Sequence, residues 1–85
     1  MGRENRRMER SALVAGFGEH AESALDLLEL FDLAWHDCYG DRSPPERVVI
    51  DAITVAQGDI SKLARSAFLG VIDFRDLRLA ADAMR

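Results

Sequence analysis

Residues 35–40 read Trp-His-Asp-Cys-Tyr-Gly and place an imidazole, a carboxylate, a thiol and a phenol in succession. A thiol nucleophile needs a base within hydrogen-bond reach. Consecutive residues of a helix point about 100° apart, so His36 and Cys38 lie on nearly opposite sides of a helix and do not form such a pair. Cys38 instead shares a face with Trp35, where a free cysteine packs as a small hydrophobic residue. We therefore predict no catalytic residue here and a protein that is not an enzyme.

An imidazole and several carboxylates also share one face of the same segment. His36 lies one turn after Asp32 and two turns after Glu29, and the face continues back to Asp26 and Glu22. Such a face can bind a divalent metal ion. Di-iron helical bundles, however, use a Glu and a His three residues apart and repeat them on other helices, a pattern that this sequence lacks. Asp32 and His36 are thus weak metal-ligand candidates, and we predict a solvated acidic face with no metal and no cofactor.

Residues 58–65 have the outline of the turn and second helix of a helix-turn-helix motif. Ser61, Lys62 and Arg65 would be its DNA contacts. Asp59 would then face phosphate groups, and its position is equally explained by capping of the helix that follows it. We therefore predict that nucleic acid is not the main partner.

The elements that position these residues are helices. From residue 19 to residue 39 the apolar side chains recur every three or four positions, which predicts a long amphipathic helix. Gly40 stands where a left-handed residue ends a helix. Before it, Gly16-Phe17-Gly18 predicts a turn held by Phe17.

Two further helical stretches follow. Residues 43–46, Ser-Pro-Pro-Glu, have the pattern of a helix start with Ser43 as N-cap and proline at the first helical position, and this helix runs to about Gln57. Asp59 caps the next stretch, whose apolar stripe we expect in the core: Ile60, Leu63, Ala64, Ala67, Phe68 and Val71. Its end stays open between a break with Asp73 as cap and a continuous helix to residue 84 bent near Gly70. Short connections between such helices predict an all-α small bundle or orthogonal array of four to five helices.

The composition describes one small acidic protein. The chain has 85 residues and a net charge of −4, with seven acids against one arginine between residues 11 and 45. We predict a basic arm over residues 1–10, which is either flexible or forms the polar first turns of a helix, and a single helical domain over residues 11–85. The charged start argues against a secretory signal, and no apolar run is long enough to span a membrane. One cysteine suits a reducing compartment, so we expect a cytoplasmic protein.

Three segments together resemble a family. The Trp-His-Asp-Cys-Tyr-Gly stretch, the Pro44-Pro45-Glu46 stretch and Arg75-Asp76-Leu77-Arg78 are similar to short helical proteins of high-GC Gram-positive bacteria, over about residues 30–80. The resemblance implies a compact helical domain in a bacterial protein. It implies no substrate, cofactor or catalytic residue.

The apolar stripe of the helix over residues 19–39 is wider than one core needs, and a domain of this size is marginal alone. We therefore predict a non-catalytic protein that acts through protein–protein interaction, as a homodimer, with a partner that is basic. The predicted partner face consists of Glu22, Asp26, Leu27, Glu29, Leu30, Asp32, Leu33, Trp35 and His36. The alternative is a small DNA-associated transcriptional regulator that uses residues 59–72 and the basic N-terminal arm.

Overall fold

The structure, a computed structural model, describes residues 8–40 and 44–85. These two ranges are all-α and contain no strand. A 3-10 helix (Ala15–His20) leads into α1 (Ala21–Tyr39), which is followed by α2 (Glu46–Ala56) and α3 (Ile60–Ala83). The predicted small all-α bundle is confirmed. Helix α3 contacts both α1 and α2, so the core lies along one side of α3.

The boundaries of α1 follow local sequence signals. The Gly16-Phe17-Gly18 turn lies in the 3-10 helix, where Phe17 is buried. At the other end Gly40 has φ +79°, and its N–H donates to the carbonyl of His36 at 2.8 Å. The predicted turn and the predicted glycine stop are both confirmed.

The start of α2 differs from the prediction. Ser43, the expected N-cap, lies outside the described residues. The helix begins at Glu46, and Pro45 with ψ 145° takes the N-cap position, its carbonyl accepting from the N–H groups of Val48 and Val49. The expectation that Pro44 is the first helical residue is wrong, because a following proline pushes the residue before it out of the helical region.

Helix α3 is interrupted at Asp73, whose φ of −156° and ψ of 98° are extended. The carboxylate of Asp73 accepts from the N–H of Arg75 at 3.0 Å, and this backbone hydrogen bond lowers the pKa of Asp73. The Tyr39 hydroxyl donates to the carbonyl of Val71 at 2.8 Å beside the break. Of the two possibilities left open by the sequence, the break at Asp73 is therefore the one observed. At the other end of α3, Asp59 accepts from the N–H groups of Ser61 and Lys62, as predicted.

The core is built from one side of each helix. Leu28, Leu63 and Leu77 are fully buried. Two carboxylates are buried as well, Asp32 and Asp51, and each meets an arginine. No helix among the described residues is long and apolar enough to cross a membrane.

Candidate functional site

An apolar groove of about 310 Å³ lies between α1 and the first part of α3. Four residues of α1 and four of α3 line it: Leu27, Leu30, Phe31, Ala34, Ala64, Ala67, Phe68 and Val71. Only Phe31 and Ala67 of this set are buried. The groove is thus a surface feature with an almost entirely apolar lining.

Phe68 and Leu30, which line the groove, are exposed, and so are two further large apolar side chains on the same two helices. On α3, Phe68 is 68% exposed and Ile72 is 63% exposed, and on α1, Leu30 and Leu33 are 60% and 59% exposed. The expectation that Ala64 and Phe68 belong to the core is wrong, since both are exposed, whereas Leu63 and Ala67 of the same stripe are part of the core. Contiguous exposed apolar surface of this kind marks an interaction site.

The two helices that line the groove carry residues of opposite charge. On α1, Asp37 lies seven residues after Leu30 and therefore on the same helix face. On α3, Arg65 lies three residues before Phe68 and seven before Ile72, again on one face. Asp37 and Arg65 are both exposed. One acidic residue, Asp37, thus shares a helix face with Leu30 of the groove, and one basic residue, Arg65, shares a helix face with Phe68.

Trp35 does not belong to the partner face where the sequence placed it. It is 3% exposed, and its ring lies 4.2 Å from that of Tyr39 and 5.9 Å from that of Phe74, measured between centroids. Its Nε1 is the buried side-chain polar atom that finds no hydrogen-bond partner among the described residues. The expected interface anchor is therefore a core residue, which joins the end of α1 to the second part of α3.

Asp32 is also withdrawn from the predicted partner face. Its two carboxylate oxygens accept from both Nη atoms of Arg10, at 2.9 and 3.0 Å, and both residues are buried. The sequence left this segment open between a flexible arm and the first turns of a helix; residues 8–10 are helical, and Arg10 packs on α1. Residues 1–7 of the arm lie outside the described residues.

The remaining charged residues of the predicted partner face are accessible to solvent, but they already interact with other residues of the chain. Glu22, Asp26 and His36 are exposed and Glu29 is half-buried. Each of them already takes part in an interaction within the chain. A basic partner would have to compete with these interactions, whereas of the apolar positions of the same helix Leu27 and Leu30 line the groove and Leu33 is exposed.

The candidate metal ligands do not form a metal centre. Asp32 is bound by Arg10, which occupies the oxygens that a cation would need. In the part of the chain that the structure describes, no group of three or more His, Cys, Asp or Glu residues is placed to hold a metal ion.

Cys38 is exposed and has no disulfide partner. The prediction that it packs in the core beside Trp35 is wrong. The turn at Gly40 ends α1 one residue after Tyr39, and it is Tyr39 that stacks on Trp35 there. No signal in the sequence distinguished these two neighbours, because both lie within one turn of Trp35.

The candidate DNA contacts Ser61, Lys62 and Arg65 are all exposed on the first two turns of α3. The backbone N–H groups of Ser61 and Lys62 donate to the carboxylate of Asp59. A phosphate group approaching this helix end would meet that carboxylate, which already caps the helix. Helix capping therefore accounts for the sequence pattern that suggested the motif.

Comparison with known proteins gives no relative. No protein family model, no curated protein and no solved structure matches this chain.

Proposed function

We propose that this protein is a non-catalytic interaction module that self-associates, and that the groove between α1 and α3 is the surface through which a second copy docks. The proposal rests on one observation, the exposure of Phe68 and Leu30 in a groove with an apolar lining, with Ile72 and Leu33 exposed on the same two helices. Burying one such side chain contributes about 1.5–3 kcal/mol. The wide apolar stripe of α1 and the small size of the domain support the same conclusion.

Charge complementarity favours a second copy as the occupant. In a dimer with two-fold symmetry, α3 of one copy faces α1 of the other, and the same contact occurs twice. Arg65 then approaches Asp37 of the second copy, while Phe68 enters the groove beside Leu30. A surface with an acidic residue on one helix and a basic residue on the other is self-complementary, which a surface of one charge is not.

Phe68→Gln is expected to convert the dimer to a monomer. The side chain is 68% exposed in the single chain, so its replacement does not open a cavity in the core and the variant should fold. The measurement is mass by light scattering over a range of protein concentrations. The wild-type chain should approach twice its 9.5 kDa mass, and the variant should stay at the mass of one chain.

Leu79→Gln is the matched control, because Leu79 lies on the same helix and is 67% exposed but does not line the groove. It should leave the dimer intact. A charge exchange adds a second arm: Arg65→Glu should weaken association, and Asp37→Arg in the same chain should restore it. A wild-type chain that stays monomeric at every concentration contradicts the proposal, as does equal weakening by the Phe68 and Leu79 variants.

The DNA-associated regulator remains the alternative function. DNA binding by a variant at Arg65 distinguishes it from the self-associating module. Arg65→Ala would lower retention of duplex DNA if α3 were a reading helix. Because Asp59 caps α3 at the candidate contact surface, we expect weak retention of mixed-sequence duplex by the wild-type chain and no change in the variant. Strong, salt-dependent retention that this single substitution abolishes would favour the regulator.

The proposed module has no enzymatic activity and works in the cytoplasm, as the single free cysteine suggests. The similarity to short helical proteins of high-GC Gram-positive bacteria is compatible with such a module and names no activity. A basic protein is retained as a further partner, which would have to displace the interactions that the acidic residues of α1 make within the chain.

A further inference from the structure

A second cleft, of about 470 Å³, lies between α2 and the part of α3 that follows the break at Asp73. It shares no lining residue with the groove. Its lining comprises Arg47, Val48, Asp51, Phe74, Arg75, Arg78 and Leu79. Three guanidinium groups thus surround an apolar floor in a protein whose net charge is −4. The volume falls in the range of sites for small molecules, about 300–1,000 Å³.

The three arginines keep donors available for a ligand. Arg75 and Arg78 approach the neighbouring acids Asp73 and Asp82 through Nε, at 3.4 and 3.5 Å. Within the described ranges no hydrogen bond uses their Nη atoms, and Arg47 is exposed and takes part in no ion pair. Arg75 and Arg78 both lie on the part of α3 that follows the break at Asp73.

The buried carboxylate in the cleft wall does not repel an incoming anion as a bare charge would. Asp51 has a side chain that is 3% exposed, and it accepts from Nη2 of Arg85 at 2.6 Å. Arg85 also donates to Asp82, and these two acids raise the pKa of its guanidinium. Arg85 therefore stays charged and is paired with Asp51 in the cleft wall.

We propose that this cleft binds a small organic anion, a single carboxylate group carried on an apolar body. Guanidinium groups recognise carboxylates through paired hydrogen bonds, and Val48, Phe74 and Leu79 offer the apolar body a surface. A monoanion is favoured over a dianion, because Asp73 and Asp82 beside two of the arginines reduce the net positive charge. This site is independent of the dimer groove.

The test is a titration of the full chain with octanoate below its micelle concentration, followed by NMR of the backbone amides and of the arginine Nε–H groups. Saturable shifts are expected at Arg47, Arg75 and Arg78. Arg47→Gln should weaken binding about tenfold. Arg47 is exposed and forms no ion pair among the described residues, so this variant is expected to have the melting temperature of the wild type.

Lys62→Gln is the matched control, since it removes the same charge from an exposed position outside the cleft, and it should bind octanoate as the wild type does. Acetate tests the anionic head alone, octanol tests the apolar body alone, and both should bind far more weakly. The proposal is overturned if octanol or acetate binds as tightly as octanoate, or if the Arg47 and Lys62 variants behave alike. Retained binding in Phe68→Gln would separate this site from the dimer groove.

Discussion

Replacing Arg10 by methionine is expected to lower the free energy of unfolding by about 3 kcal/mol. The guanidinium of Arg10 holds both oxygens of Asp32, and the two side chains are 11% and 8% exposed. Removing Arg10 takes two charge-assisted hydrogen bonds from a buried carboxylate, and breaking a buried ion pair in this way is strongly destabilising. Methionine keeps most of the apolar stem of the arginine, so the loss in the free energy of unfolding is due to removal of the charge. The measurement is chemical denaturation monitored by circular dichroism.

Two further variants make this expectation specific. Arg78→Met removes an arginine from an exposed pair with Asp82, and it should change stability by only a few tenths of a kcal/mol, about 0.3. In the double variant Arg10→Met with Asp32→Leu, both charges are gone, and most of the lost stability should return. If Arg10→Met costs no more than Arg78→Met, the segment that carries Arg10 does not pack on α1 as described.

Local signals in the sequence were sufficient for most of the helix boundaries. Gly40 and Asp59 act on residues within one turn of themselves, so their roles can be inferred from spacing alone. The start of α2 was misplaced by two residues, because neither proline takes the first helical position: Pro45 is the N-cap, and Pro44 precedes it. Pro45 restricts the backbone of the residue before it, which keeps Pro44 out of the helix.

The candidate sites depend on contacts between residues that are far apart in the sequence, and the spacing of residues does not predict such contacts. Arg10 and Asp32 are 22 residues apart, and Asp51 and Arg85 are 34 apart. The apolar stripe of α3 predicted which residues share a face, yet it did not show that the core would cover only part of that face and leave Phe68 exposed. The arginine cleft could not be anticipated for a similar reason, since Arg47 and Arg78 meet only through the packing of α2 on α3.

Gly58→Ala is expected to cost about 3 kcal/mol, well above the ordinary cost of alanine in a left-handed position. Gly58 has φ +79°, and a Cβ built there would lie 2.8 Å from the carbonyl oxygen of Gly16. That oxygen belongs to the backbone, so it cannot rotate away as a side chain would. The substitution therefore combines left-handed strain of about 1 kcal/mol with a steric cost of about 1–3 kcal/mol.

Gly40→Ala separates these two contributions. Gly40 has the same φ of +79° after a helix C-terminus, but a Cβ there would meet nothing within 4 Å. Its alanine variant should lose only the strain, about 1 kcal/mol, in the same denaturation measurement. The difference between the two variants then measures how firmly the turn between α2 and α3 is held against the 3-10 helix. If both variants lost the same free energy of unfolding, the 3-10 helix would move aside at no cost. The close approach of Gly16 to Gly58 would then contribute nothing to the rigidity of the fold.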